Sequence, residues 1–441
     1  MSYSILSKIL GFAKEAVRGT AETTITKYIP IDKDSEFDYK PTLIPDEKMR
    51  GVLDEFAPMV GQKTGTGKIS FDVDSDNCGE MLLSAIGSVT SDEQHVITIA
   101  ATNKFFDFDI GATELVATIA EATYPIGTIQ TEAGSFCKAL YDAIHAAEAV
   151  GTYTVTYSRT TKKITVARDA GGTLTWLLKT GTHGSDNLDT HCGTVMGFAD
   201  TADLSSAITY TGTVNVQDCF KHTFIRSTGL SPQAYTFFMD RGLNKLSYSL
   251  GVAKAIELSG DMTNALKLSA DIIFKTEATS VATFTPTWAE PAPFMFHQTA
   301  FTLASTPNTD IRKYSVKIDN QAIAKWCFIG DGSSDLTDII TPAVLKVSGS
   351  FEIYFENATE RAKFLAATSS ALVVTLTGAV INGTFYKKLV ITIPKMIYTA
   401  FPYGELDGLL GASVAFEGKY NLGGSPLSSL QVELYNQTAA Y

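Results

Sequence analysis

Four groups of residues have types and spacings that suggest chemistry, and the first of them is rich in glycine. Gly61-Gln-Lys-Thr-Gly-Thr-Gly-Lys68 resembles a phosphate-binding loop, in which backbone N–H groups hold phosphates at the start of a helix. The spacing from Gly61 to Gly67 is one residue too long, and Ile69 stands where Ser or Thr should bind magnesium. The next residues alternate between apolar and polar, which predicts a strand and offers no helix N-terminus to a phosphate. We therefore interpret the segment as a flexible surface loop.

The second group imitates the start of a calcium-binding loop, with carboxylates at Asp72, Asp74 and Asp76. Such a loop requires Gly at its sixth position and a bidentate Glu at its twelfth. This chain has Asn77 and Leu83 at those positions. The pattern favours a solvent-facing strand edge that leads into a helix cap, and it predicts no metal site.

The third group consists of three short signatures found in serine β-lactamases and penicillin-binding proteins: Ser135-Phe-Cys-Lys138, Lys179-Thr-Gly181 and Ser185-Asp-Asn187. In that family the SDN element comes well before KTG and belongs to another domain. Here SDN follows KTG after three residues, so one loop would have to form both walls of the site. We reject acyl-transfer chemistry for this reason.

The fourth group is a histidine cluster at His183 and His191-Cys192, whose spacing matches no ordinary zinc pattern. The five cysteines are scattered and odd in number, which indicates folding in a reducing compartment and no disulfide framework. We predict no catalytic, cofactor-binding or metal-binding residue, no cofactor and no enzymatic activity. The cysteines are Cys78, Cys137, Cys192, Cys219 and Cys327.

The charge balance argues against binding of duplex DNA through the overall electrostatic field of the protein. The 441 residues include 35 Lys and Arg against 47 Asp and Glu, a net charge of −12. Duplex binding relies on basic side chains that replace counterions at phosphates.

The segment from Met1 to Arg18 has the apolar spacing of a short amphipathic helix or docking arm, without a secretion signal. No apolar run reaches transmembrane length, so we expect no membrane contact and a protein that is cytosolic when it is made.

The elements that would position these residues are mostly strands. Lys68–Asp74 alternates with period two, and Thr152–Ser158 with Ile164–Arg168 reads as a hairpin. The clearest helical pattern is Glu132–Val150, with Gly151 as its terminator. The chain is therefore predicted to be mainly β with isolated short helices. Further strands are predicted at 173–178, 208–216, 245–258, 266–275, 312–318, 346–355, 372–380, 386–398 and 411–420.

The order of strand, short helix and later strands occurs twice along the chain, which indicates a duplicated domain. In an ungapped alignment Phe71 falls on Ile353, although the two Asn-x-x-Glu motifs that follow are slightly out of register in that frame. The matching pairs are Gly67–Asp74 with Gly349–Glu356, Asn77–Glu80 with Asn357–Glu360, and Lys254–Ile256 with Lys395–Ile397.

The two units differ in length because the first carries extra residues with a helix, a hairpin and a glycine-rich turn. We predict a discontinuous first β module at 1–96 and 216–284, and a second at 285–441. Residues 97–215 would form a small inserted α+β domain. The proline-rich stretch Thr276–Pro293 is the predicted linker.

Several stretches resemble the tail tube proteins of siphophages, in particular the family whose chains carry two tandem tube modules. The inserted piece is similar to a small domain found in phage structural proteins. The tube-like stretches are Gly11–Glu15, Gly19-Thr20, Tyr28–Ile31, Phe37–Pro41 through Arg50-Gly51, the Gly65–Asp74 strand, Phe220–Phe224 and Tyr235–Asp240 to Leu268–Phe274. The insert-like stretches are Thr152–Ser158, Thr161–Ile164 and Gly197-Phe198.

The resemblance implies a structural subunit of the phage virion that polymerises into a tail tube for DNA passage during genome ejection. Each module would be a β-sandwich with short flanking helices, and the inserted domain at 97–215 would face outward. Inner strands of neighbouring modules would join into one barrel, and rings would stack through long loops. Two modules per chain imply three copies per pseudo-sixfold ring, whereas a single-module reading implies six. The implied partners are other copies of the chain, a tape measure protein and a tail terminator. The predicted arms and stacking loops are the residues before Pro41 and the segment Gly51–Lys68.

Two other functions fit the same composition. The chain could be another virion assembly protein, such as a baseplate, sheath or decoration component. It could instead be a carbohydrate-binding or hydrolytic β protein, with residues 97–215 as the binding module.

Overall fold

The computed structural model describes residues 8–46, 56–111, 113–170, 172–216, 218–242, 244–286, 288, 292–327, 334–382 and 385–441. The chain is mainly β, with 52% of its residues in strands and 8% in helices. This confirms the predicted fold class at the level of a β-rich protein.

The described residues contain three α-helices and two single turns of 3₁₀ helix. The helices are α1 Gly79–Ile86, α2 Phe136–Ala147 and α3 Thr359–Leu365, and the 3₁₀ turns are Thr194–Met196 and Phe296–Gln298. The first strands are β1 Ile9–Lys14, β2 Lys27–Ile29, β3 Glu36–Asp46, β4 Phe56–Asp72 and β5 Gly87–Glu93. The next are β6 Val96–Ile99, β7 Phe105–Asp109, β8 Glu114–Thr118, β9 Ala122–Pro125, β10 Thr152–Ser158, β11 Lys163–Ala170, β12 Leu174–Trp176, β13 Leu204–Ala207 and β14 Thr209–Thr211.

The chain then returns to long strands that pair with the first ones. These are β15 Phe220–Arg226, β16 Tyr235–Asp240, β17 Lys245–Asp261, β18 Lys267–Phe274 and β19 Thr276–Thr279. The last third contains β20 Thr299–Leu303, β21 Thr306–Asn308, β22 Ile311–Asp319, β23 Ile323–Lys325, β24 Asp338–Ile340, β25 Lys346–Tyr354, β26 Ser370–Asn382, β27 Phe385–Ala400, β28 Tyr403–Leu406, β29 Leu409–Gly418 and β30 Gln431–Asn436.

One layer of the fold is an antiparallel sheet in which eight long strands lie in the order β3, β4, β18, β17, β22, β25, β29 and the end of β27. Its strands alternate between buried apolar and accessible polar residues, as a sheet with one face in a core requires. Phe71, Leu268, Ile256, Val316 and Val414 belong to the buried face.

A second layer covers the buried face of this sheet. It contains β2, β1, β16, the start of β17 and β19, and separately β21, β20, β26, the start of β27, β30, β15 and β5. The strands β17 and β27 are long enough to take part in both layers. Strand β17 passes between the layers near Leu250, which has a left-handed backbone with φ of 52°. The register shift between Ala253 and Ala255 lies just beyond this point.

The strands β6 to β14 and helix α2 enclose a hydrophobic core that is separate from the main one. Trp176 lies at its centre, with its ring against those of Phe106 and Phe198. Helix α2 covers this core with Phe136 and Leu140, and the side chain of Ser135 caps its N-terminus. Two strands of the main fold, β5 and β15, lead into and out of this part of the chain.

Several sequence predictions about local structure were wrong. Residues 9–14 form a strand between β2 and β16, where a helix or arm was expected, because Leu10 and Phe12 alternate into the core. Residues 61–68 belong to β4 and not to a surface loop. Glu132 precedes α2, which also ends three residues before Val150. The predicted linker at 276–293 begins with strand β19.

Candidate assembly surfaces

The residues of the calcium-like group hold a tight turn. The Oδ1 atom of Asp74 accepts hydrogen bonds from the backbone N–H groups of Asp76 and Asn77 at 2.6 and 3.0 Å. Burial raises the pKa of Asp74, and the bonds from these N–H groups oppose that shift. Asp76 forms an ion pair with Lys387 at 2.5 Å. The predicted Asn77 cap was wrong, because the N-cap of α1 is Cys78 without a side-chain bond. These carboxylates therefore connect the turn before α1 to strand β27.

The β-lactamase-like signatures are kept apart by the fold. Ser135 caps α2, with its Oγ atom 3.2 Å from the N–H of Lys138. The KTG and SDN signatures form one turn, in which the Asn187 side chain donates to the carbonyls of Thr180 and Gly181. The His183 ring stacks on Phe105 and approaches the Asp107 carboxylate at 2.9 Å. The structure thus brings the KTG and SDN signatures together and leaves Ser135 elsewhere.

A group that the sequence reading missed consists of Asp189, His191 and Asp200, whose potential ligand atoms lie within 4.8 Å of one another. The Nε2 atom of His191 is buried and lacks a hydrogen-bond partner. Its Nδ1 atom lies 3.0 Å from the N–H of Gly193 and accepts that bond. A neutral imidazole that accepts at Nδ1 carries its proton on Nε2, which then has no lone pair for a metal. This geometry does not favour a metal centre, and we assign none.

The two ends of the eight-strand sheet are open edges. Within the described chain, β3 pairs with β4 alone, and residues 397–400 of β27 pair only with β29. Open edges present unpaired backbone N–H and C=O groups, which join to other strands unless something covers them. The two halves of the chain are joined at the middle of the same sheet, where Ala255 to Asp261 of β17 pairs with Lys313 to Asp319 of β22.

The face of this sheet that points away from the core is polar and of mixed charge. Its serines include Ser70 opposite Ser269 and Ser315 opposite Ser350, in line with the strand register. Arg312 and Lys419 reach this face through ion pairs with Glu352 and Glu417, so neither sign of charge clearly dominates it. Fifteen further charged side chains stand at outward positions of the paired strands. They are Glu36, Asp38, Asp72, Glu257, Asp261, Asp271, Asp319, Glu352, Glu417, Lys40, Lys68, Lys267, Lys313, Lys317 and Lys346.

A long hairpin extends from the edge of the sheet and exposes apolar side chains. Its described residues belong to the ends of β3 and β4, where Leu43 pairs with Val60 and Ile44 with Met59. All four side chains are largely exposed. Exposed apolar clusters of this kind are typical of protein–protein contacts. The predicted stacking segment begins at Gly51, but residues 51–55 lie outside the described part of the chain.

The comparison with protein families gives a match over most of the sequence. The family model described as phage tail tube protein matches residues 7–418. The chain belongs to the phage tail tube protein family. The sequence resemblance is therefore confirmed, and the match ends before strand β30. A comparison with individually curated proteins gave no match.

Family membership makes this tail tube protein a structural component of the phage virion tail. Its family assembles a tube with other tail components and is a structural family that is generally non-enzymatic. Among the described residues, no helix is both long and apolar enough to span a membrane.

Proposed function

We propose that the chain is a two-module tail tube subunit, and that three copies close into a ring with pseudo-sixfold symmetry. The observation that carries this proposal is a strand order that occurs twice. In chain order, β1, β2, β3, β4, α1, β16, β17, β18 and β19 correspond to β20, β21, β22, β25, α3, β26, β27, β29 and β30. The proposed first module is residues 1–96 with 216–284, the second is 285–441, and 97–215 are an insertion.

The pairing within the two sets supports the correspondence. Seven antiparallel pairings in the first set of strands have counterparts between the corresponding strands of the second set. Two unrelated sheets would not share so many pairings. The first set has β1–β2, β1–β16, β16–β17, β17–β18, β18–β4, β4–β3 and β17–β19. The second has β20–β21, β20–β26, β26–β27, β27–β29, β29–β25, β25–β22 and β27–β30.

The junction between the modules serves as a template for the contact between copies. Inside one chain, the end of β17 pairs with β22. The corresponding strands at the open edges are the end of β27 and β3, so β27 of one copy would pair with β3 of the next. Each copy contributes eight strands, and three copies give 3 × 8 = 24. With strands about 4.8 Å apart and tilted by about 40°, such a barrel is roughly 48 Å across between backbones. That width leaves room for a DNA duplex.

The polar face of the eight-strand sheet is the surface that we assign to the channel. Its other face is in the core, and residues 97–215 join the chain through β5 and β15 of the opposite layer. The assigned face carries charges of both signs without a basic patch, and three copies of the whole chain carry 3 × (−12) = −36 charges. Phosphates would not be held by such a surface, so DNA would slide along it. Stacked rings would form the tube, with a tape measure protein and a tail terminator as partners.

Electron microscopy and native mass spectrometry of the purified protein test this proposal together. We expect hollow rings or tubes, and rings whose mass corresponds to three copies. Six copies in each ring would contradict the two-module assignment. Filled fibres, or protein that stays monomeric at every concentration, would contradict the tube itself and favour another tail component such as a baseplate or decoration protein.

A further inference from the structure

Helices α1 and α3 occupy corresponding places in the two proposed modules but are covered very differently. Seven of the eight residues of α1 are buried, whereas no residue of α3 is buried. The Asn-x-x-Glu motifs that begin the two helices place Leu365 at the position of Ala85. Ala85 has no exposed area, whereas the Leu365 side chain is 70% exposed. A single exposed leucine is ordinary, so the informative observation is that the whole of α3 lacks the cover that α1 has at the corresponding place.

The cover over the end of α1 comes partly from the other half of the same chain. It belongs to arm 2, the connection between β22 and β25, whose described residues are 320–327 and 334–345. The Asn320 side chain donates to the Ala253 carbonyl at 2.6 Å and reaches the carbonyl of Ser84 in α1 at 3.5 Å. Leu336 of arm 2 is buried against Leu250 of β17.

Arm 2 also covers the segment that leads into β16. The N–H of Thr341 donates to the carbonyl of Leu230 at 2.8 Å, and Ile339 packs against Ala234. Arg18 adds an ion pair with Asp338 at 3.0 Å. In the second module, the corresponding segment leads from α3 into β26, and residues 365–368 of that segment are all exposed.

The element that corresponds to arm 2 is arm 1, the connection between β3 and β4, whose described residues are 40–46 and 56–62. Arm 1 carries the exposed pairs Leu43–Val60 and Ile44–Met59, which lie on opposite faces of its hairpin. Just beyond its base, the Lys63 N–H donates to the carbonyl of Ser334 in arm 2 at 3.0 Å, but the described chain leaves these four side chains largely exposed. Arm 1 therefore has exposed apolar side chains, and the surface formed by the end of α3 and residues 365–368 lacks the cover that arm 2 gives to the first module.

We propose that arm 1 of one copy packs against the end of α3 and residues 365–368 of the next copy in the ring. The occupant of this surface is thus a second copy of the chain, placed as arm 2 is placed on the first module. The proposal rests on the proposed ring, because the end of β27 and β3 must lie side by side for arm 1 to reach α3. It assigns arm 1 to contacts within a ring, at the seam between two copies.

Pairwise chemical crosslinking tests the assignment in assembled tubes. In a Cys327→Ser background, which removes the exposed cysteine, one preparation carries Val60→Cys and another carries Leu365→Cys. A third carries Ile44→Cys, because Ile44 lies on the other face of the arm. After co-assembly and treatment with a short bis-maleimide, we expect a covalent dimer when Leu365→Cys is mixed with one of the two arm variants. No dimer from either mixture, or a dimer from an arm variant assembled by itself, would overturn the proposal.

A charge placed in the contact gives a second measurement. Burial of a valine contributes about 1.5–3 kcal/mol, so Val60→Glu should raise the concentration needed for assembly by about tenfold or more. Leu365→Glu should raise the concentration needed for assembly in the same way. The double variant should need about the same concentration as either single variant, because both substitutions remove the same contact. The matched control is Val150→Glu, a 93% exposed valine in residues 97–215, which should assemble normally.

The outcomes separate this inference from the proposed function. Normal assembly by Val60→Glu and Leu365→Glu would overturn the contact while leaving the three-copy tube intact. Failure of the unaltered protein to form tubes would instead remove the ring on which the contact depends. Circular dichroism of each variant before assembly checks that a loss of tubes reflects a lost contact and not unfolding.

Discussion

Ile256 of β17 lies directly opposite Ile318 of β22, and both side chains are fully buried where the two halves of the chain meet. On the other face of the same strands, Glu257 lies opposite Lys317. Apolar burial on one face and an opposite-charge pair on the other both stabilise this register. The sheet therefore continues through the junction without an open edge.

Removing one side of the Ile256–Ile318 contact should destabilise the junction strongly. We expect Ile318→Ala to lower the free energy of unfolding by about 2–5 kcal/mol, because it leaves a cavity between two buried strands. Urea unfolding of the unassembled protein, followed by circular dichroism, measures the change. The matched control is Ile323→Ala at an exposed position of β23, which should stay within about 0.5 kcal/mol. Equal losses in the two variants would mean that the junction does not depend on this contact.

Tyr441 packs on the first turn of α1. We therefore predict that the effect of Gly79→Ala on stability has opposite signs in chains with and without Tyr441. A Cβ atom on Gly79 would overlap the ring of Tyr441, whose hydroxyl oxygen accepts a 2.6 Å bond from Asn436. Gly79→Ala should therefore destabilise the intact chain. In a chain that lacks Tyr441 the same substitution should be stabilising by up to about 1 kcal/mol, since alanine favours helix over glycine.

A double-mutant cycle measures this coupling from four unfolding midpoints. The four proteins are the chains with and without Gly79→Ala, each with and without Tyr441. An equal effect of the alanine in both backgrounds would show that Tyr441 does not rest on α1.

A buried ion pair inside residues 97–215 should make that region sensitive to acid. Burial opposes ionisation of Glu148, but hydrogen bonds from Tyr153 and Arg168 outweigh it and lower the pKa of the carboxyl. Stability from such a group is fully present above its ordinary pKa of 4.5 and is lost as the pH falls through the lowered value. Glu148→Gln should lower the free energy of unfolding by about 3–5 kcal/mol at pH 7, because the buried Arg168 charge then faces a neutral amide and not a carboxylate.

Hydrogen exchange in strand β10 measures this loss, and the difference from the unaltered protein should shrink as the pH falls below 4.5. Glu121→Gln is the control, since Glu121 forms an exposed pair with Lys104 and should change little. A difference that persists unchanged in acid would contradict the assignment of the charge.

The channel assignment predicts where added positive charge will capture DNA. Ser269→Lys with Ser315→Lys, both at partly accessible positions, adds six charges to the polar sheet face of each three-copy ring. Such tubes should retain a short DNA duplex at 50 mM salt and release it by about 200 mM, whereas unaltered tubes should retain none. Thr152→Lys with Thr161→Lys adds the same charge to exposed positions in residues 97–215. Equal retention by the two variants, in tubes whose ends are open, would show that the sheet face does not line the channel.

The strand pattern was predictable wherever one face of a strand is buried. Residues 346–355 were found to within one residue, because period-two alternation reports burial on one side. Lys68–Asp74 located the end of β4 but missed its first twelve residues, which begin at Phe56. The glycines of β4 were misread because Gly65 and Gly67 look like a loop for phosphate. In the fold they leave space for the rings of Phe274 and Phe37, which a Cβ atom would overlap. That reason depends on strands far away in the sequence and is invisible in the segment itself.

The assembly surfaces were harder to predict for the same physical reason. Leu365 is an ordinary apolar residue at the end of a helix in the sequence, and only its exposure beside a buried counterpart makes it informative. The pairing of β15 with β30 joins residues about 210 positions apart and leaves no local signal. The repeated order of elements on which the proposed duplication rests was, in contrast, visible in the sequence.

The attachment of residues 97–215 predicts that this region can be removed without loss of the tube. Its core is separate from the main one, and its two ends are adjacent, because the N–H of Gln94 donates to the carbonyl of Cys219 at 2.8 Å. Deleting 97–215 with a short Gly-Ser bridge keeps β5, β15 and the pairing of β15 with β30. Asp218 loses its cations Arg159 and Lys162, but it gains water at the same time, so no buried charge remains.

We therefore expect the shortened protein to assemble into tubes with an unchanged channel and a smaller outer diameter, as seen by cryo-electron microscopy. Unaltered protein prepared in parallel provides the reference diameter. A shortened protein that is folded and soluble but forms no tubes would mean that 97–215 contribute to the contact between copies. That result would place this region at the seam and not on the outer surface, since only a seam position makes it necessary for ring closure.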